Sequence, residues 1–304
     1  MSNYKKIAIL MGGPSEEFEI SIETGKEVKK ALSKNFEVKT IIVKKNLKQL
    51  ISNLTLFKPD AVFNALHGTF GEDGQIQSIL NTLKIPYTHS GVLGSSIGMN
   101  KCISKIIFEK LGILCPSGQT IFPENSSKLE ISPPFVVKPI NGGSSIGVHT
   151  ILKKKDLTPN FFGKYKKKCE IMVEEYIPGR EITVGVLNNQ ICGVTEILPE
   201  KKFYDYESKY INVAKHQQNP PLPKKIRDGL LSATLLAHNT LKCNSISRCD
   251  FRFNEKNNKF YLLEINTQPG LTKNSLLPEM AEIIGINFSK LCEIIISSAK
   301  CEDF

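Results

Sequence analysis

Short apolar segments rich in β-branched residues alternate with amphipathic segments along the first ninety residues of the chain. The apolar segments predict strands over residues 7–10, 38–43 and 61–66. Between them, apolar positions at helical spacing predict helices over residues 20–31 and 47–56. This alternation is typical of a parallel sheet flanked by helices, in which ligands bind at the carboxyl edge of the strands.

The pattern changes after residue 92, where strands and helices no longer alternate regularly. A smaller α+β unit over residues 93–178 is followed by a carboxyl-terminal unit over residues 179–304, so we expect three domains in an α/β chain. The elements predicted for these two units are a helix over 99–111, strands over 135–138, 147–151, 171–176, 181–187 and 191–197, a helix over 226–241 and a hairpin over 247–265.

The charge of the chain favours an anionic partner. Its 304 residues include 40 Lys and Arg against 30 Asp and Glu, which gives a net charge of +10. The segments 1–92, 93–178 and 179–304 carry +3, +5 and +2, so no segment forms a basic arm. The densest basic cluster, residues 153–168, is interrupted by acidic and aromatic residues, and we interpret it as solvated surface. We therefore predict no binding of nucleic acid.

Targeting signals and reactive cysteines are also not expected. No apolar run approaches the roughly 18 residues that a membrane helix needs, which excludes membrane insertion. The apolar run over residues 7–11 is too brief for a secretion signal, so we expect a cytoplasmic protein. The eight cysteines show neither a Cys-x-x-Cys pair nor zinc-ligand spacing, and we expect reduced thiols without a catalytic role.

A glycine-rich segment, KPINGGSSIG over residues 138–147, joins two predicted strands. Glycine amides, the hydroxyls of Ser144 and Ser145 and the adjacent Lys138 can together bind phosphate oxygens. The segment is not a Walker loop, because Gly-x-x-x-x-Gly-Lys-Ser/Thr is absent and no helix follows the glycines. A tight β-turn without a ligand is the alternative.

Two acidic residues face each other across the predicted hairpin. Strand alternation places Arg248 and Asp250 on one face and the apolar side chains between them on the other. If residues 254–260 form the turn, Asp250 lies opposite Glu264, and Asn266 follows on the same face. Two carboxylates and an amide oxygen are ligands that magnesium prefers when phosphates complete its shell. The alternative is a surface hairpin whose acids pair with neighbouring arginines.

Motifs along nearly the whole chain resemble those of the D-alanine–D-alanine ligase family of the ATP-grasp superfamily. Their order and combination are specific, although each motif alone is not. They are GGPSEEFEIS from Gly12, ALHG from Ala65, GEDG from Gly71, MNK from Met99, GSSIG from Gly143, FYDYESKY from Phe203, RCD from Arg248 and EINTQPG from Glu264.

The resemblance implies a three-domain ATP-grasp fold. Residues 1–92 would form a Rossmann-like, substrate-binding domain, residues 93–178 the central domain with the phosphate loop, and residues 179–304 the domain with metal and oxyanion residues. The implied reaction joins two D-alanine molecules for peptidoglycan precursors: one carboxylate attacks the γ-phosphate of ATP, and the second amine displaces phosphate from D-alanyl phosphate. Two Mg²⁺ or Mn²⁺ ions and a homodimer are implied as well.

The resemblance also assigns residues to the amino acids. Glu17 would pair with the first ammonium group and, through Ser144, with Tyr210, which closes a flap over residues 203–210. Arg248 would donate to the oxyanion of the tetrahedral intermediate. The tyrosine-rich flap resembles members specific for D-alanine rather than D-lactate. The remaining substrate residues are His67 near the first amino acid, and Ser275 with the Gly270 and Leu271 backbone at the second carboxylate.

For ATP and metal, the resemblance assigns residues on both sides of the cleft between the second and third domains. These are Lys101, Lys138 and Ser145 with Lys209 at the phosphates, Glu174 with the Tyr176 and Ile177 backbone at the adenine, Glu181 at the ribose, and Asp250, Glu264 and Asn266 at the metal ions.

Several positions depart from the family pattern or have simpler interpretations. Gln268 replaces a small residue, Gly142 an acid that some relatives have, and Cys249, expected to face the core, a branched apolar residue. His67 can be a packed or hydrogen-bonded histidine, and Glu174 an ordinary strand-edge acid.

Two other classes of function are open. A different ATP-grasp enzyme would explain the ATP and metal residues but not Glu17, the flap or Ser275. A binding module is the other class, either a nucleotide sensor without catalysis or a basic nucleic-acid binder. It predicts missing ligand residues or a clustered charged face, but the ligand residues are all present and the charge is spread along the chain.

Overall fold

The strands in the described part of the chain form three sheets, one parallel and two antiparallel. The structure, a computed structural model, describes residues 4–158, 160–198 and 215–302. This mixture of a parallel sheet with two antiparallel sheets confirms the predicted α/β class. Within the described residues, no helix combines the length and the apolar character that crossing a membrane requires.

The amino-terminal part of the chain is a three-stranded parallel sheet between helices, as predicted. Its elements are β1 (Lys6–Gly12), α1 (Phe18–Leu32), β2 (Glu37–Val43), α2 (Leu47–Phe57), β3 (Ala61–Asn64), α3 (Gln75–Thr82) and α4 (Val92–Met99). The strand order is β2-β1-β3. Ile7 and Ile9 of β1 pack with α1, whereas Ala8 and Leu10 pack with α2 and α3 on the other face. The sheet is therefore buried on both faces.

The central part of the chain is a four-stranded antiparallel sheet in the order β4-β7-β5-β6. Its elements are α5 (Lys101–Lys110), β4 (Gly118–Ile121), β5 (Phe135–Pro139), β6 (His149–Ile151) and β7 (Ile171–Glu175), with 3-10 turns at Pro123–Lys128, Lys154–Asp156 and Phe161–Lys164. Strand β4 was not predicted, because only its last residue is a buried apolar one. Strand β6 begins two residues later than predicted, since the glycine-rich segment extends to it.

The prediction of one helix over residues 99–111 is wrong at its amino-terminal end. Helix α4 ends at Met99 and α5 begins at Lys101. Asn100 between them is extended, with φ −86° and ψ 96°, and its side chain accepts a hydrogen bond from the Ile103 N–H. Asn is a favoured N-cap residue, so it ends one helix and starts the next.

The carboxyl-terminal part is a five-stranded antiparallel sheet in the order β10-β9-β8-β11-β12. Its elements are β8 (Arg180–Leu187), β9 (Gln190–Leu198), β10 (Lys215–Gln218), α6 (Lys224–Thr240), β11 (Ile246–Asn254), β12 (Lys259–Asn266), α7 (Leu276–Ile283) and α8 (Phe288–Ser297). Cys249, Phe251 and Phe253 of β11 pack beneath α6, which confirms the predicted alternation. Cys249 is fully buried in the core as expected, and this burial raises the pKa of its thiol.

A β-bulge corrects the predicted register of the β11–β12 hairpin. Asp250 pairs with Glu264 as predicted, but Phe251 pairs with Leu262, so Leu263 is the extra residue. Leu262 and Ile265 consequently both face the core although they are three residues apart.

Helix α7 lies against the sheet at two glycines. A Cβ atom at Gly185 would lie 2.7 Å from the Leu277 and Met280 side chains. One at Gly193 would lie 2.9 Å from Cβ and Cγ of Met280. At Gly185 a side chain would displace the ends of Leu277 and Met280, whereas at Gly193 it would require α7 itself to move. The Gly193 contact therefore helps to fix the position of Ser275, the N-cap residue of α7.

We expect Gly193→Val to destabilise the chain by about 1–3 kcal/mol, because its side chain would displace Met280 from a filled core. Urea unfolding followed by circular dichroism measures the change. Gln190→Val, at the exposed end of the same strand, is the control. An unchanged urea midpoint for Gly193→Val would contradict the close packing of α7.

Candidate active site

One cleft of about 380 Å³ is lined by residues of all three units. Every site residue predicted from the sequence within the described part of the chain lines it, except Leu271. The Leu271 side chain packs in the core, and only its backbone was predicted to contact a substrate. Lys209 and Tyr210, with the flap over residues 203–210, lie outside the described residues.

The glycine-rich segment crosses the cleft and contacts the amino-terminal unit. Ser144 and Ser145 have positive φ values of 53° and 58°, and the Ile146 N–H donates to the Gly143 carbonyl at 3.1 Å. Consecutive left-handed residues turn the backbone sharply and are strained for serine. This conformation brings the Ser144 hydroxyl to the Glu17 carboxylate, to which it donates a hydrogen bond. The predicted pair is therefore in contact.

Lys101 connects three parts of the cleft from the first residue of α5. Its backbone N–H donates to the Ile140 carbonyl at 3.1 Å, and its Nζ donates to the Gly142 carbonyl at 2.6 Å. The same ammonium lies 3.1 Å from a carboxylate oxygen of Glu264. Lys101 therefore holds the glycine-rich segment next to the β12 acid.

The acid and arginine of β11 form a closed network on the cleft side of the sheet. Arg248 donates to both oxygens of Asp250 at 2.8 Å. Asp250 also accepts a hydrogen bond from Thr183 Oγ1 at 2.7 Å and another from Asn266 Nδ2 at 3.0 Å. The bulge places Glu264 beside this network, with Leu263 also lining the cleft. Asp250 does pair with Arg248, as the alternative for this hairpin required, but the pair lies inside a cleft and not on an open surface.

Glu174 lies at the centre of a buried cluster of two lysines. Lys138 Nζ donates to one carboxylate oxygen at 2.6 Å, and Lys105 Nζ donates to the other. Burial raises the pKa of Glu174, but the two ammonium groups lower it more, so the net pKa is below its ordinary value. Burial beside Lys138 lowers the pKa of Lys105. Glu174 is therefore an ionised, doubly paired carboxylate and not an ordinary strand-edge acid.

The segment after β7 is fixed by Arg252. Its guanidinium donates to the Ile177 carbonyl at 3.1 Å and the Gly179 carbonyl at 2.7 Å. It also lies 3.3 Å from Glu181 and over the ring of Tyr176. The three predicted adenosine residues of this segment are therefore brought together by one arginine.

The far end of the cleft is formed by the turn before α7. Ser275 is the N-cap residue of α7, and its Oγ accepts a hydrogen bond from the Thr272 N–H at 3.0 Å. A Cβ atom at Gly270 would lie 3.2 Å from that Oγ, so glycine leaves the hydroxyl room. The amino end of a helix attracts carboxylates, which agrees with the predicted position of the second carboxylate.

His67 is buried with both ring nitrogens occupied. Nδ1 lies 2.9 Å from Glu72 and Nε2 3.0 Å from the Thr24 hydroxyl. A carboxylate can only accept, so Nδ1 carries a hydrogen. Burial lowers the pKa of His67, but its hydrogen bond to Glu72 and the charges of Glu72 and Glu17 outweigh this, so the net pKa is raised. These contacts support the packed, hydrogen-bonded interpretation of His67.

The sequence did not identify four residues that position the site. Lys105 had a signal, since it lies four residues after Lys101 on a helix face that also buries Phe108. Strand alternation places Arg252 on the same face of β11 as Asp250, but it does not predict that Arg252 binds backbone carbonyls.

Gln268, a departure from the family pattern, accepts a hydrogen bond from Asn64 Nδ2 at 2.9 Å and donates one to the Leu66 carbonyl. It therefore connects the amino-terminal unit to the cleft. Glu72, the fourth residue, holds the His67 ring through Nδ1.

The residues predicted for metal ions have suitable chemistry. Asp250 and Glu264 face each other on adjacent strands, and Asn266 follows on the same side. Hard oxygen donors of this kind suit Mg²⁺ or Mn²⁺. Among the described residues, no group of three or more His, Cys, Asp or Glu could hold a metal by itself. The prediction for this hairpin adds phosphate oxygens of a nucleotide to its own donors.

We expect Glu72→Gln to lower the pKa of His67, because burial then acts on the imidazolium without the opposing carboxylate. NMR titration of the His67 ring protons measures this. Since the folded-state pKa is raised, the stability that Glu72 contributes is complete below about pH 6.5 and is lost as the pH rises through the folded-state pKa. Glu19→Gln, exposed on α1, is the control. An unchanged His67 titration in Glu72→Gln would contradict the pairing.

Comparisons with known proteins identify the family of the chain. Residues 119–297 match the family model described as D-ala D-ala ligase C-terminus, and residues 46–90 match D-ala D-ala ligase N-terminus. The chain is 49% identical to the D-alanine–D-alanine ligase of Pelagibacter ubique, with 97% of this chain and 98% of the relative covered. It is 45% identical to that of Wolbachia pipientis, with 96% and 94% covered.

Solved structures show the same similarity. The D-alanine–D-alanine ligase of Bacillus anthracis complexed with ATP superimposes with a TM-score of 0.82 at 32% identity, covering 98% of this chain and 97% of that one. The D-Ala:D-Ser ligase VanG of Enterococcus faecalis gives a TM-score of 0.78 at 26% identity, covering 96% and 98%. The chain therefore belongs to the D-alanine–D-alanine ligase family of ATP-grasp enzymes.

Proposed function

We propose that the cleft joins two D-alanine molecules through a D-alanyl phosphate intermediate, for peptidoglycan precursor synthesis. As a member of its family, the chain is an ATP-dependent ligase that joins a carboxylate to an amine. The observation that carries the residue assignment is the contact between Glu17 and Ser144. It brings the carboxylate proposed for the amino acid ammonium group directly against the loop proposed for the ATP phosphates.

In the first step, a carboxylate oxygen of D-alanine attacks the γ-phosphorus of ATP, and ADP leaves. A carboxylate is a poor electrophile, so this step converts one of its oxygens into a phosphate leaving group. Glu17 holds the ammonium group of that D-alanine, while Lys101, Lys138 and Ser145 bind the ATP phosphates. All four of these residues line the cleft, which supports this assignment. Lys209 is proposed for the γ-phosphate by resemblance alone.

Divalent cations are proposed to be held by Asp250, Glu264 and Asn266. When bound, two Mg²⁺ or Mn²⁺ ions neutralise charge on the transferring phosphoryl group. The oxygen donors and their place beside the glycine-rich segment support this proposal. Lys101 and Arg248 already neutralise Glu264 and Asp250, so they keep the partly buried Glu264 and the buried Asp250 in place before any ligand binds.

In the second step, the deprotonated amine of another D-alanine attacks the acyl carbon, and phosphate leaves. Arg248 donates to the oxyanion that forms on the carbonyl oxygen. The Arg248 guanidinium donates two hydrogen bonds to Asp250, which fix its orientation before the substrates bind. Ser275 and the backbone of Gly270 and Leu271 bind the second carboxylate, and Tyr210 completes the site through Ser144.

The nucleoside is proposed to lie along the segment after β7. Glu174 and the backbone of Tyr176 and Ile177 would contact the adenine, and Glu181 would contact the ribose. Arg252 supports these roles, since it fixes the carbonyl of Ile177 and the carboxylate of Glu181 at the cleft wall.

The domain boundaries, assembly and compartment are proposals as well. We place the domains at residues 1–92, 93–178 and 179–304, and each sheet falls within one of them. A homodimer is proposed from the family resemblance alone. We also propose a cytoplasmic location, where ATP for the reaction is available.

We expect Glu264→Ala to abolish ATP-dependent phosphate release without unfolding the chain, because it removes a metal ligand that is only partly buried. A coupled phosphate assay with D-alanine measures the loss, and circular dichroism checks the fold. Glu282→Ala, exposed on α7, should keep the wild-type rate. Retained activity in Glu264→Ala would overturn the metal assignment.

The substrate is tested by comparing D-alanine, L-alanine and D-lactate in the same assay. We expect phosphate release when D-alanine is the only amino acid supplied, and little release when L-alanine takes its place. D-lactate added with D-alanine should not replace the second D-alanine, since the reaction uses an amine nucleophile. A different ATP-grasp ligase would release phosphate with another acid but not with D-alanine, and a nucleotide sensor would release none.

A further inference from the structure

Lys105 is a buried cation directly behind the cleft. It lies one turn after Lys101 on α5, but only Lys101 lines the cleft. The Lys105 side chain is 7% exposed, and its Nζ donates to Glu174. A lysine this buried requires a partner, and Glu174 provides it.

The cluster formed by Lys105, Lys138 and Glu174 carries a surplus positive charge. One carboxylate binds two ammonium groups, each on a different oxygen, and all three side chains are almost fully buried. A buried net charge of this sign favours an anion close by. Of the two lysines only Lys138 lines the cleft, so it alone can offer its charge to a phosphate there.

The arrangement gives the two lysines different tasks. Each carboxylate oxygen has two lone pairs, so an oxygen that accepts from a lysine can still accept from a ligand N–H. If Lys105 were absent, Lys138 alone would have to neutralise Glu174 and could not move to a phosphate without leaving a buried carboxylate unpaired. With Lys105 in place, Glu174 keeps a fixed partner on the side away from the cleft.

We propose that Lys105 is a positioning residue for nucleotide selectivity, which holds the Glu174 carboxylate in place to accept from the exocyclic amino group of adenine and leaves Lys138 available to the phosphates. This inference rests on the proposed function, in which Glu174 faces the adenine. It concerns Lys105, which acts through Glu174 and does not itself touch the nucleotide.

The test compares ATP with purine riboside triphosphate, which lacks the exocyclic amino group. Isothermal titration calorimetry with Mg²⁺ and without D-alanine gives Kd for each. We expect the wild type to prefer ATP by about tenfold or more, the value of one hydrogen bond to a charged group. Lys105→Met should reduce the ratio of the two Kd values to about one, because it weakens the binding of ATP more than the binding of the analogue. Lys105→Arg should retain most of it, and Lys110→Met, exposed on the same helix, all of it.

The outcomes separate a positioning role from a structural one. A structural defect in Lys105→Met would weaken the binding of both nucleotides by the same factor. An unchanged preference for ATP in this variant would therefore overturn the proposal. If Lys105→Met does not fold, Lys105→Gln keeps an N–H donor without the charge. Its preference should lie well below that of Lys105→Arg, and equal values would overturn the proposal.

The proposed function is tested separately in the wild type. A wild type that binds both nucleotides equally overturns the role of Lys105 together with the adenine assignment of Glu174. A wild type that prefers ATP but releases no phosphate with D-alanine overturns the proposed reaction and leaves the role of Lys105 standing.

Discussion

The pairing of β11 with β8 on one side and β12 on the other is the constraint on which the cleft depends. Phe251 is packed beneath α6, so a slip of one residue would move it into the cleft and expose polar groups to the core. The same register places Asp250 between Thr183 and Glu264. The bulge after Asp250 then directs both Leu263 and Glu264 to the cleft. Core packing therefore determines where the acids lie, and with them the site proposed for a nucleotide and its metal ions.

A second constraint is the neutralisation of buried charge. Three carboxylates in the cleft have cationic partners: Asp250 has Arg248, Glu264 has Lys101 and Glu174 has two lysines. Burying a carboxylate without such a partner costs several kcal/mol, so these pairs keep the cleft stable before substrates bind. The partners are largely the cations proposed for phosphates and for the oxyanion. Substrate binding would then exchange one set of charge pairs for another without leaving any charge unpaired.

Much of the fold could be predicted because its signals are local. The parallel sheet, α1, α2 and the β11–β12 hairpin follow from the spacing of apolar residues. The short helix α7 was not predicted, since it has Pro278 in its first turn and is stabilised by contact with Gly185 and Gly193. The break between α4 and α5 was also missed, although Asn100 gives it a local cause. Most of the missed elements are short, and a short element depends more on tertiary contacts than on its own pattern.

By itself, the sequence determined which chemical groups are available to the cleft: the glycine-rich segment, the facing acids of the hairpin and the described motif residues that line it. Strand alternation has a period of two, so the face on which Asp250 lies could be predicted from its neighbours alone. Only the tertiary structure decided that Lys105 meets Glu174, 69 residues away, and that Gln268 meets Asn64. No local pattern encodes such pairs, because a contact between distant residues depends on how the sheets and helices pack, and packing is a property of the whole chain.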